Sequence, residues 1–179
     1  MGVSTTKSWI QAVRLRTLPL AIANVSMGAI LGHYFGAFDW PIYLMTVITA
    51  ILLQVLSNLA NEYGDFIHGA DHADRSGPSR TVQSGAISAA TMKKAMYLIA
   101  GLSIVSGVIL ISLTTLSMPV KIVFLALGLL AVWASINYTA GSNPYGYRGY
   151  GDVSVFLFFG LLSVVGLSLI HISEPTRPY

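Results

Sequence analysis

The sequence predicts an all-α fold, a polytopic transmembrane helix bundle, on three observations. Hydrophobic residues make up 54% of the chain and charged residues 9%, against the roughly 25% charged expected of a soluble domain. Five stretches come close to the ~20 residues needed to cross a ~30 Å hydrocarbon core at ~1.5 Å per residue. The basic residues fall in alternate loops, as the positive-inside rule requires of a chain that crosses back and forth.

Taken in order, the apolar stretches place spans at about 18–36, 41–60, 95–115, 118–138 and 153–170. Lys7, Arg14 and Arg16 precede the first span, and more spans follow it quickly, so it reads as a retained helix and not a cleaved signal. Arg75, Arg80, Lys93 and Lys94 fill the connection after span two, and Arg148 follows span four. The opposite loops hold only Lys121, which puts the N-terminus and the long second connection in the cytoplasm. With no cysteine, disulfides and thiolate metal sites are excluded, and any metal needs oxygen or imidazole ligands. No nucleic-acid-binding motif is present, and the basic excess is spent on orienting helices.

The chemistry is concentrated after span two. Four of the seven acidic residues, Glu62, Asp65, Asp71 and Asp74, lie within a short polar stretch read as a loop at the membrane edge. Carboxylates are costly there and point to function. Gln54, Asn58, Asn61 and Asp65 recur at offsets of four, three and four, so they share one helical face. For Gln54 and Asn58, hydrogen bonding between helices is an equal alternative to a site role. Gly69 lets the chain fold back between Asp65 and Asp71, so Asn61, Asp65 and Asp71 offer converging hard oxygens suited to Mg²⁺, which takes its remaining ligands from water or a substrate phosphate. Arg75 and Arg80 follow, either as guanidinium clamps on phosphate or as orienting charges. His33, His68 and His72 lack the helical spacing of a zinc site.

These strings resemble the UbiA-type intramembrane prenyltransferases, and within them the naphthoate branch. The resemblance covers about residues 10–168. It rests on Arg14-Leu15-Arg16-Thr17-Leu18-Pro19-Leu20, on Ser57-Asn58-Leu59-Ala60-Asn61-Glu62-Tyr63-Gly64-Asp65 with Asp71 and Asp74-Arg75-Ser76-Gly77-Pro78, and on Tyr145-Gly146-Tyr147-Arg148-Gly149-Tyr150-Gly151-Asp152. Two departures stand out. The usual Asn-Asp pair is Asn61-Glu62, and the superfamily acid four residues after Asp65 is replaced by Gly69, with the acid at Asp71.

The resemblance implies Mg²⁺ on Asn61, Asp65 and Asp71, holding a polyprenyl diphosphate whose prenyl group is transferred to 1,4-dihydroxy-2-naphthoate with loss of the carboxylate. It implies Arg14, Arg75, Arg80 and Arg148 as substrate-binding residues, a setting in membrane lipid at a bacterial inner or plasma membrane, and about nine spans in all. Arg148 is read either as a grip on the substrate's carboxylate or diphosphate or as an orienting charge, and Asp152 as an N-cap. The second aspartate-rich motif of the family is absent from these 179 residues. Residues 1–168 are therefore expected to be the N-terminal part of the membrane domain and inactive alone, with 169–179 a non-native tail resembling translated adapter sequence. The rival reading is a cation-binding transporter or channel subunit. Its expected midplane helix breaks and repeated halves are not visible.

Overall fold

The computed structural model describes residues 5–70 and 80–172. A short helix α1 (Thr5–Val13) precedes the bundle and turns through the 3-10 segment Leu15–Thr17 into α2 (Leu18–Tyr34). Then come α3 (Trp40–Ile67), α4 (Ala89–Leu113) and α5 (Met118–Asn137). A 3-10 turn, Tyr145–Arg148, leads to the last crossing, built from α6 (Gly151–Val155), a π-helical stretch Phe156–Val165 and α7 (Gly166–Ile172). Five segments are long and apolar enough to cross a membrane, as expected from hydropathy. The expected boundary at 168 falls inside α7, residues 173–179 lie outside the described residues, and no strand occurs among the described ones.

The second span is longer than its hydropathy indicates. Asn61–Asp65, expected as a loop, forms the last turns of a 28-residue α3. At ~1.5 Å per residue that rod is ~42 Å long, so it overshoots a ~30 Å apolar layer and carries its polar end beyond it. Asp39 starts it, accepting the Ile42 N–H at 2.9 Å, with Pro41 in the first turn. Gly69 stops it at a positive φ of 63°. There Ala70 N–H bonds Asp65 C=O at 2.9 Å and Gly69 N–H bonds Phe66 C=O at 3.3 Å, the paired closure of a Schellman motif. The third span also starts early, at Ala89, because Ser88 caps it by accepting the Thr91 N–H and because exposed Lys93 and Lys94 reach toward water.

α3 is the central helix, packed on α2, α4 and α5, while α2 lies against the π-helical stretch and α7. The buried face of α2 is small: Ala21, Val25, Gly28, Ala29 and Gly32. A Cβ on Gly28 would sit 2.8 Å from the Val164 carbonyl oxygen, so this contact requires small residues. Two apolar clusters fill the bundle. One joins Ala12, Leu56, Leu59, Val82, Met92 and Met96 near the polar end of α3, and the other joins Val25, Ile42, Leu110, Leu116, Leu167 and Ile170 toward its start. The chain from 80 to 88 is thereby tied down through Val82 and Ile87.

Candidate functional site

Three connections meet at the C-terminal end of α3, which is what alternating crossings require. The α1–α2 elbow arrives through Arg14, the α3–α4 connection through Arg80, and the α5–α6 connection through Thr139 and Tyr147. The last of these comes close because Gly64 has no side chain: a Cβ there would lie 2.7 Å from the Ala140 nitrogen. Arg14 is a non-glycine residue at φ 54° and ψ 60°, a left-handed conformation that costs on the order of 1–2 kcal/mol. It is held by its carbonyl, which accepts from Thr17 N–H at 2.8 Å and the Thr17 hydroxyl at 2.9 Å.

Gln54 and Asn58 serve this elbow. The Asn58 amide donates to the Val13 carbonyl at 2.7 Å and to the Thr17 hydroxyl at 2.9 Å, and Gln54 donates to the same hydroxyl at 3.4 Å. Hydrogen bonding between segments, one of the two readings open for them, is present in these contacts, and both residues also line the large cavity. Asn61 reaches a different segment: its carbonyl oxygen accepts from the Thr139 hydroxyl at 2.9 Å, and it too lines the cavity.

Glu62 is the centre of the charged network, a role the stripe of polar residues did not reveal. It is 3% exposed. One carboxylate oxygen receives Arg14 at 3.4 Å and Arg80 at 3.0 Å, and the other receives Thr81 N–H and the Thr81 hydroxyl, each at 3.0 Å. Arg80 then reaches on to Asp65 with its second nitrogen at 2.6 Å, and the Tyr147 phenol donates to the other Asp65 oxygen at 2.7 Å. A usable signal was present: Glu62 and Asp65 are three residues apart on a helix, a spacing one guanidinium fork can bridge.

The remaining expected residues divide. Arg148 is exposed and bonded to the Asn143 side chain. Asp152 lies within the first turn of α6, whose N-cap is Tyr150, so the expected cap role is not found. His68 bonds the Gly141 carbonyl at 3.0 Å and packs edge-on against Tyr147. Asp71, His72, Asp74 and Arg75 lie outside the described residues.

Below this network is a cavity of about 410 Å³, within the size range of small-molecule sites. Ser57, Asn61, Tyr138 and Tyr145 are among its polar lining, and Leu53, Phe124, Leu127, Leu162 and Ile170 among its apolar walls. Tyr145 donates to the Ala134 carbonyl at 2.9 Å, and burial pushes its phenol above the ordinary value, partly countered by Ser154, so it stays a neutral donor. Among the described residues no three of His, Cys, Asp and Glu converge on a point. The donor chemistry still suits Mg²⁺: Asn61 and Asp65 are oxygen donors one turn apart, and this ion commonly uses one or two carboxylates and leaves the rest to water and phosphate.

Membrane-length helices, an apolar cavity and carboxylates paired with guanidiniums at one end of the bundle together define a multi-pass membrane protein with a charged cluster beside an apolar cavity. The chain belongs to the UbiA prenyltransferase family, whose model matches residues 21–176. It is 45% identical over 164 residues to the 1,4-dihydroxy-2-naphthoate octaprenyltransferase of Escherichia coli (strain K12), covering 92% of this chain and 53% of that protein. The identity is 44% over 162 residues to the protein of that name from Haemophilus influenzae, covering 89% and 53%. For the one from Mycobacterium leprae it is 37% over 158 residues, covering 88% and 51%. The chain thus spans about half the length of the curated relatives it matches. No solved structure matches it.

Proposed function

We propose that this chain contributes the diphosphate-holding half of a Mg²⁺-dependent prenyltransferase that joins a polyprenyl group to 1,4-dihydroxy-2-naphthoate, giving demethylmenaquinone in its reduced, quinol form. The observation that carries the reading is the position of Asn61 and Asp65: both belong to the last turns of α3, where Asn61 opens onto the cavity and Asp65 anchors the charged network. A prenyl diphosphate needs that juxtaposition, with its tail among apolar walls and its head among charges.

In the proposed reaction the allylic C–O bond breaks and pyrophosphate leaves with the electron pair. The naphthoate ring forms the new C–C bond, and carbon dioxide departs from the ring as its electrons return. Bound Mg²⁺ would supply charge neutralisation on the leaving group. Asn61 and Asp65, with Asp71, are the proposed residues to hold it, and Arg14, Arg75, Arg80 and Arg148 the proposed contacts to substrate. The walls of the cavity exclude water that would quench the cation. The arginines at the shared end of α3 and its three connections support a reading in which that end faces the cytoplasm at a bacterial inner or plasma membrane.

The test uses residues 10–168 grafted in place of the matching half of the Escherichia coli relative. The graft is expected to form prenylated product from polyprenyl diphosphate, naphthoate and Mg²⁺, and Asp65→Asn to lower the rate at least ~100-fold, of the order seen for loss of one charge-stabilising group. The 179-residue chain alone is expected to form none. Product from an Asp65→Asn graft at the parent rate would sink the reading.

A further inference from the structure

Among the described residues, the charges at the end of α3 are two of each sign: Arg14 and Arg80 face Glu62 and Asp65. Three of the four side chains are nearly enclosed, with Glu62 3% exposed and Arg80 and Asp65 each 11%. A divalent cation added to Asp65 alone would leave about two uncompensated positive charges in a poorly solvated cluster, which is strongly unfavourable. An accompanying diphosphate removes that excess.

Arg80 is built to move between these situations without leaving. Its Nη1 is on Glu62 at 3.0 Å and its Nη2 on Asp65 at 2.6 Å. Glu62 is itself fixed by the N–H and hydroxyl of Thr81, the very next residue, each at 3.0 Å. Arg80 can therefore give up Asp65 while Glu62 and Thr81 keep its root and one nitrogen in place. The freed nitrogen then points a donor toward whatever anion has arrived.

We propose that Arg80 is an internal counter-ion of Asp65 that makes divalent-cation binding conditional on a diphosphate, with Glu62 the positioning residue that retains it. The proposal rests on the reading of Asp65 as a metal-binding carboxylate. Its distinctive consequence is a change of sign: removing Arg80 improves binding of the cation alone while abolishing the benefit of the anion.

The experiment is equilibrium dialysis of Mn²⁺ against the full 179-residue chain in detergent micelles, with and without inorganic pyrophosphate. The parent is expected to bind Mn²⁺ at least ~10-fold more tightly with pyrophosphate, about 1.4 kcal/mol. R80Q is expected to bind Mn²⁺ alone about 10-fold more tightly than the parent, with the pyrophosphate gain falling below about threefold. R80K keeps a charge but cannot fork across two carboxylates, and is expected to lie between them. Asp65→Asn should abolish the binding in both conditions. The chain has no cysteine, so protection of a thiol placed at buried Val82 checks that each variant is folded. If the parent gains from pyrophosphate but R80Q and R80K bind Mn²⁺ alone no more tightly than the parent does, the counter-ion proposal falls and the metal reading stands. If the parent binds no Mn²⁺ in either condition, both fall.

Discussion

The two ends of α3 are held by different kinds of interaction. At its start, Asp39 caps the helix and Phe38, Trp40 and Tyr43 cluster, with Trp40 edge-to-face on both neighbours, His33 against Phe38 and Trp40 64% exposed. Such amphipathic rings belong at a membrane surface and tolerate exchange. At its finish, a buried carboxylate is gripped by residues 48, 18 and 19 positions away in the chain. The start is anchored by a generic preference for the interface, the finish by a particular arrangement that only these side chains satisfy. Specific, expensive interactions mark the end that carries the proposed site.

The contrast is broken most severely at Glu62. Glu62→Ala leaves Arg14 and Arg80 without their shared partner, and the loss of stability is expected to be about 3–5 kcal/mol, read by unfolding in mixed micelles. Gly64→Ala comes next: its Cβ meets backbone atoms of Thr139 and Ala140, which cannot rotate away, and about 1–3 kcal/mol is expected. The same variant should loosen the 138–150 connection, seen as faster proteolysis there. Asp39→Ala removes one cap at the opposite end and should cost about 1 kcal/mol. Trp40→Phe, at the exposed ring, should change stability by no more than about 0.5 kcal/mol. A larger loss for Trp40→Phe than for Glu62→Ala would invert the comparison and refute it.

The five crossings were legible because burial in lipid depends on local composition, and the sequence carries that directly. The end of α3 was not, since a hydropathy window stops where Asn61, Glu62 and Asp65 begin. The helix continues because those polar groups find partners on three other segments, and no window along one segment contains them. Glu62 escaped notice for the same reason: its importance lies in Arg14, Arg80 and Thr81 converging on it. The even spacing of Gln54, Asn58, Asn61 and Asp65 pointed to one face, and the structure has the first two both fasten an elbow and, with Asn61, line a cavity, while Asp65 joins the ion pairs. The π-helical stretch Phe156–Val165 had no sequence signal, and we have no physical account of it.

The left-handed turn at Arg14 has a consequence for the order of synthesis. Its ionic partner Glu62 is 48 residues downstream, and Glu62's own fixings, Arg80 and Thr81, come later still. While the ribosome is making the first span, the elbow therefore has its own Thr17 bonds but lacks Asn58 and Glu62. The set of contacts on the elbow is complete only after residue 81 has emerged, so the N-terminal helix finishes docking after the second crossing has been made, and the first element translated is among the last to settle.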